Sequence, residues 1–173
     1  MDRFRVAGGA RLAGTVSVAG AKNSALKLMA STLLAPGKTT ITNLPAIADV
    51  DYMAELLTRL GCTVEINKEQ GEVSIDVPEK LEHRADYDLV RKMRASINVL
   101  GPLITRVGEA DVALPGGDAI GSRGLDYHIN GLTDMGAVIT LEHGFIIAKA
   151  PNGLKGASIS LEFPSVGATE NIM

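Results

Sequence analysis

KTTITNLPAIADVDYMAELLTRLGCTVEINKEQGEVSIDV, residues 38–77, is the stretch whose reading decides the fold. KTTITN (38–43) is β-branched and reads as a strand. ADVDYMAELLTRLG (48–61) changes to a helical period, with Met53, Leu56, Leu57 and Leu60 on one face. Asp49 is the expected N-cap and Gly61 the expected stop. CTVEIN (62–67) and EVSIDV (72–77) then alternate as two strands around the turn KEQG. Just upstream, KNSALKLMASTLL (22–34) reads as a helix with Ala25, Leu26, Met29 and Leu33 aligned. The unit is helix, strand, helix, strand, strand.

The same order then returns. Leu89 to about Arg106 reads as a helix with Met93, Ile97, Leu100 and Ile104 on one face and a bend at Pro102. ADVAL (110–114) is a strand, and LDYHINGLTDM (125–135) a helix with Leu125, His128, Ile129 and Leu132 aligned and Gly136 at its end. AVITL and FIIAK close the unit as a hairpin around His143-Gly144. Gly37 matches Gly108 at a separation of 71, and Leu44-Pro45 matches Leu114-Pro115 at 70. Asp51-Tyr52 and Leu60-Gly61 match Asp126-Tyr127 and Met135-Gly136, both at 75. The offset changes only where the second copy carries extra residues, PGGDAIGSRG (115–124). An insertion in one copy of a repeat commonly marks a working loop.

A third copy begins at ASISLEFPSVGATENIM (157–173) and reaches only its first helix, so the chain is expected to be the front part of a longer protein. Residues 1–19 fall outside the period and read as two short strands around a Gly-Arg turn. The expected domain therefore runs from 20 to 173, as repeats 20–78 and 86–150 and the start of a third at 157–173. The fold class is α/β.

Composition narrows the function. The 173 residues hold 17 Lys and Arg against 20 Asp and Glu, a net charge of −3, without the basic excess of a general nucleic-acid binder. Aromatic residues make up 3% and there is no Trp, too few rings for a base-stacking platform. The single cysteine, Cys62, permits no internal disulfide. No apolar run approaches the eighteen residues of a membrane span, so a cytoplasmic protein without membrane insertion is expected.

Local chemistry concentrates in three places. The inserted loop has glycines at 116, 117, 121 and 124, which suit either close approach to a ligand or a long, mobile connection. Gly116 and Gly121 have the P-loop spacing, but Ser122-Arg123 stands where the phosphate-binding lysine should, which excludes a nucleotide triphosphatase. Asp118 in that loop is either a solvated turn residue or a proton carrier. Lys22-Asn23-Ser24 opens a helix, where a lysine beside free N–H groups can hold an anion, or where Asn23 or Ser24 simply caps. Arg91, Lys92 and Arg94 open the corresponding helix of the second copy, which points to a shared anionic site. His83, His128 and His143 lack metal-ligand spacing, and no cofactor is expected.

AGAKNSALKLMASTLL, VRKMRAS, LPGGDAIGSR with LDYHINGL, and FPSVGATENIM together resemble the UDP-N-acetylglucosamine enolpyruvyl transferases, the 1-carboxyvinyltransferases of peptidoglycan synthesis. The resemblance runs from Met1 to Met173. It implies an inside-out α/β barrel of repeats, helices inside and sheets outside, and a second domain that this chain lacks. In that family the first strands cross to the second domain. The implied reaction transfers the enolpyruvyl group of phosphoenolpyruvate to the 3-hydroxyl of the sugar and releases phosphate, with neither metal nor organic cofactor. Carried over by motif, Lys22 and Asn23 would bind phosphoenolpyruvate, and Arg94 the substrate anions. Arg123, Gly124, Leu125, Asp126 and Tyr127 would line the uridine side, and Pro164, Ser165, Val166 and Gly167 would add nucleotide contacts.

Two residues depart from the family pattern. Asp118 replaces the loop cysteine that fosfomycin alkylates, so it would donate the proton as a carboxylic acid and confer fosfomycin resistance. Gly124 stands where many members carry proline. The family's sugar-hydroxyl base lies in the second domain, so this chain alone is expected to lack turnover. The alternative reading is a non-catalytic nucleotide-sugar-binding fragment. A shikimate-pathway enolpyruvyl transferase shares the fold but lacks K-N-S and L-P-G-G in this form.

Overall fold

The computed structural model describes residues 3–85, 87–115 and 124–173. Helix α1 (Lys22–Ser31) runs into a 3-10 turn at Thr32–Leu34 and is followed by β1 (Gly37–Ile41), α2 (Ala48–Arg59), β2 (Thr63–Asn67) and β3 (Glu72–Val77). These match the expected elements to within a few residues. The second unit contains β4 (Arg84–Ala85), α3 (Tyr87–Val90), a 3-10 segment at Arg94–Val99, α4 (Leu100–Val107), β5 (Glu109–Ala113), α5 (Asp126–Asp134), β6 (Val138–Glu142) and β7 (Phe145–Lys149). Helix α6 (Val166–Ile172) follows.

Each unit makes one sheet. The first is antiparallel, ordered β1-β3-β2, with Thr39 opposite Ile75 and Val64 opposite the same residue. The second is ordered β4-β5-β7-β6, with β4 parallel to β5 and the other pairs antiparallel. The central strands bury Val73, Ile75 and Val77 in one sheet and Ile146 and Ala148 in the other. Alternation puts these side chains on one face. Behind those faces α1 packs on α2 within the first unit, α1 on the 94–99 segment and α4 on the 32–34 turn between the units, and α6 on α5. Helices inside and sheets outside is the expected arrangement.

The repeat is visible atom by atom. Gly61 and Gly136 both adopt left-handed backbone, φ 102° and 101°, just past α2 and α5. Cys62 N–H donates to Leu57 O and Ala137 N–H to Leu132 O, the same helix-ending bond in both copies. Leu44 N–H bonds to Gly71 O and Leu114 N–H to Gly144 O, each at 2.8 Å, tying the chain before the second helix to the hairpin tip.

Three expectations need correction. Residues 3–19 form no strand among the described residues; Phe4, Leu12 and Val18 are almost fully exposed, and a strand needs a neighbour to pair with. The Leu89–Arg106 helix is three pieces, because Met93 is extended (φ −148°, ψ 119°) and breaks it well before Pro102. Pro102 is the third residue of α4, which the 94–99 segment enters directly. Finally, Ile47 rather than Asp49 is the N-cap of α2, with no side-chain cap bond, and Asp49 lies in the first turn.

Candidate active site

Lys22 is the first residue of α1, after an N-cap, Ala21, that has no capping side chain. Neither Asn23 nor Ser24 caps the helix, so both are exposed in its first turn beside unpaired N–H groups. Lys22 Nζ lies 2.6 Å from Asp49 Oδ2, with the aspartate the more covered partner. Asp49 is thus the counter-ion of the candidate anion-binding lysine. Sequence reasoning missed that role, because the pair joins two helices whose approach no local pattern reveals.

The three cations at the start of the second unit separate. Arg91 lies over the Tyr87 ring at 4.9 Å and Lys92 over the Tyr52 ring at 5.3 Å. Only Arg94 turns toward the inserted loop, where its Nη2 donates to Gly124 O at 3.4 Å. Arg94 therefore joins the 94–99 segment to the turn that precedes α5. A Cβ at Gly124 would meet Asp126 Oδ1, the free end of an exposed side chain. The carboxylate of Asp126 folds back toward the backbone at Gly124. Leu125 and Tyr127 are half-buried beside it. Asp118 and Arg123 lie outside the described residues.

Ser165 is the N-cap of α6, its hydroxyl accepting from Ala168 N–H at 3.3 Å, so Pro164–Gly167 forms the bend into that helix. This bend meets the 124–127 turn through His128. A methyl group placed on Gly167 would lie 3.8 Å from both Cε1 and Nε2 of the His128 ring. Asn171 Nδ2 and His128 Nδ1 are 3.0 Å apart, and Gly101 N–H donates to Asn171 Oδ1 at 3.1 Å. Burial pushes the His128 pKa down to about 4; Arg94 works in the same direction and Asp126 against it. On α1, Lys27 pairs with Glu170 of α6.

The structure thus unites Arg94, Gly124–Tyr127 and Pro164–Gly167 around the 94–99 segment. Lys22 and Asn23 stand on the neighbouring helix, which packs on that segment. His128, Asn171 and Asp49 are the residues that sequence reasoning passed over. A polar pair within apolar helical faces was the available signal for the first two. Cys62 is buried, and its thiol is pushed up to about 11 chiefly by burial, which makes it an inert core residue. Among the described residues, no helix is long and apolar enough to cross a membrane.

Two helix-inside units, with Arg94 of the second bonded to Gly124 before α5, form the frame of this chain. The family profile described as EPSP synthase (3-phosphoshikimate 1-carboxyvinyltransferase) matches residues 6–173, and the chain belongs to that family. It is 58% identical over 172 residues to the UDP-N-acetylglucosamine 1-carboxyvinyltransferase of Corynebacterium jeikeium (strain K411), covering 99% of this chain and 40% of that protein. The enzyme of the same name from Mycobacterium tuberculosis (strain CDC 1551 / Oshkosh) is 58% identical over 173 residues, with the same coverage. That from Caulobacter vibrioides (strain NA1000 / CB15N) is 50% identical over 177 residues, covering all of this chain and 41% of that protein. The chain spans about 40% of the length of these relatives. Among solved structures, the enolpyruvyl transferase NikO from Streptomyces tendae superposes with a TM-score of 0.69 at 23% identity, over 86% of this chain and 32% of that one. EPSP synthase from Acinetobacter baumannii gives 0.68 at 20% identity, over 92% and 37%.

Proposed function

We propose that this chain supplies one domain's share of a UDP-N-acetylglucosamine 1-carboxyvinyltransferase. In this reading residues 20–173 form that domain, as repeats 20–78 and 86–150 with a third beginning at 157. Residues 1–19 pair with a second domain that completes the active site. The observation that carries the reading is the 58% identity, over 99% of the chain, to enzymes of that name. The geometry supports it, because the two segments assigned to the nucleotide sugar lie together around Arg94 and His128.

The reaction adds the sugar 3-hydroxyl, which gives its proton to a base of the second domain, to C2 of phosphoenolpyruvate while a proton goes to the methylene carbon. Loss of phosphate together with a proton from the resulting methyl group then regenerates the vinyl group. Lys22 and Asn23 hold phosphoenolpyruvate at the open start of α1, where the helix dipole and the lysine both favour an anion. Asp49 is the counter-ion that the substrate anion displaces from Lys22. Arg94 balances substrate charge, and Arg123 to Tyr127 with Pro164 to Gly167 hold the uridine diphosphate. Asp118 is the proton donor. An aspartate has an ordinary pKa of about 3.9, so in the substrate complex its proton must be retained by desolvation and by the neighbouring phosphate. A carboxylate is a poorer nucleophile toward an epoxide than a thiolate, so fosfomycin should not inactivate the complete enzyme. Such an enzyme would act in the cytoplasm and serve cell-wall growth, hence cell shape and division.

Calorimetry and phosphate release test the reading. The 173-residue chain should bind UDP-N-acetylglucosamine yet release no phosphate when phosphoenolpyruvate is added. Failure to bind the nucleotide sugar would overturn the assignment of this domain's site. In a protein carrying both domains, Asp118→Asn should abolish turnover with binding retained, and Asp118→Cys should create time-dependent inactivation by fosfomycin. Turnover at the unmodified rate in Asp118→Asn would remove the proton-donor role.

A further inference from the structure

We infer that His128 and Asn171 form a latch that makes Gly124–Tyr127 and Pro164–Gly167 one preformed surface, so that the nucleotide sugar meets both segments already assembled. The ligand's identity rests on the function proposed above; the latch rests on geometry.

The hydrogen-bond directions are determined. A backbone N–H can only donate, so the Gly101 bond at 3.1 Å fixes Oδ1 of Asn171 as the acceptor. The other end of that amide, Nδ2, is therefore the group that faces His128 Nδ1 at 3.0 Å. An NH2 group donates, so Nδ1 must accept, and the neutral ring carries its proton on Nε2. The Cε1–Nε2 edge is the side turned toward Gly167. His128 follows Tyr127 directly on α5, and Asn171 lies one helical turn past Gly167 on α6. One bond thus spans the two candidate ligand segments, and α4 anchors it through Gly101.

The surrounding packing is shaped for this contact. A Cβ at Gly101 would collide with the Asn171 carbonyl, and one at Gly131 with the Ile172 side chain. Both glycines let α6 approach closely enough for a direct bond. His128 and Asn171 are 5% and 6% exposed, so neither can exchange its partner for water. The charged groups that act on the ring are Arg94, from the 94–99 segment, and Asp126 on its own helix. Protonation would turn Nδ1 into a donor facing a donor and open the latch.

Nitrogen NMR of the His128 ring in the 173-residue chain provides the test, combined with titration of UDP-N-acetylglucosamine. The unmodified chain should show an unprotonated Nδ1 and a protonated Nε2 at neutral pH. Asn171→Asp keeps the acceptor for Gly101 but sets a carboxylate against Nδ1, so the proton should move to Nδ1. Amide shifts should then change at 124–127 as well as at 164–167. Asn171→Ala removes both bonds and should weaken UDP-N-acetylglucosamine at least tenfold. A protonated Nδ1 in the unmodified chain overturns the latch. So does Asn171→Asp if it disturbs only 164–167, or Asn171→Ala if it binds with unchanged affinity. If the unmodified chain binds no nucleotide sugar, the functional reading fails, and the tautomer and cross-segment shifts alone decide the latch.

Discussion

Helices α2 and α5 occupy the same place in their repeats, yet at two positions they are built from opposite chemistry. At the constant offset of 75, Met53 corresponds to His128 and Leu56 to Gly131, while Leu57 and Leu132 are the same residue in the same buried position. Met53 and Leu56, 0% and 1% exposed, fill the first unit with apolar volume. In the second unit a glycine makes room for Ile172 and a histidine bonds to Asn171. One framework therefore serves once as closed core and once as a seat for the next repeat. The seat adjoins the segments proposed above to hold the nucleotide sugar.

The largest effect should come from giving the first unit the second unit's glycine. Leu56→Gly removes a fully buried side chain and adds helix-interior flexibility, at a cost of about 3–5 kcal/mol. Urea unfolding of the chain should show that loss; a change below 1 kcal/mol would mean that the first unit tolerates a seat as well. The reverse exchange, Gly131→Leu, overfills the seat and should cost about 1–3 kcal/mol. Hydrogen exchange should then be faster in 166–172 while β1 to β3 keep their protection.

His128→Met makes the two helices alike and leaves Asn171 Nδ2 without its acceptor, a loss of about 1–3 kcal/mol. It should also remove a pH dependence. Above pH 6.5 the ring is neutral in both folded and unfolded chains. As pH falls from 6.5 toward about 4, the unfolded chain takes up a proton that the buried ring refuses. The histidine's contribution to stability should decline through that window and level off below it. The decline across this window should be smaller in His128→Met, and thermal melts at a series of pH values would show an identical slope if the histidine contributes nothing.

The smallest effect should follow Asp49→Asn. Its pair with Lys22 is partly solvated, so stability should change by less than about 1 kcal/mol. Removing the counter-ion frees the lysine charge, and inorganic phosphate should bind several-fold more tightly by NMR titration. Unchanged phosphate affinity would show that Asp49 has no hold on the α1 site.

Periodicity in residues 22–77 was enough to name the elements of the first unit, because amphipathic helices and alternating strands are local consequences of which face is buried. The break at Met93 was hidden, since Leu89, Met93, Ile97 and Leu100 are spaced like one helix whether or not the backbone is continuous. The short parallel strand at Arg84–Ala85 was hidden too, because two residues carry no period. In the site, the basic helix starts and the glycine-rich loop were legible as residue types. Which cation faced the loop was not: Arg91, Lys92 and Arg94 look equivalent in one dimension, and only Arg94 reaches Gly124.

The sequence by itself determined the elements of each unit and the helix stops at Gly61 and Gly136, because each depends on neighbours within one turn or one hairpin; the candidate residues of the site came from its resemblance to a family. Tertiary structure alone decided the partners: Asp49 for Lys22, Gly124 for Arg94, and Asn171 for His128. Those bonds join residues 27, 30 and 43 positions apart. A hydrogen bond or ion pair depends on the final few ångströms of approach between separate elements, and that approach is set by how the whole core packs.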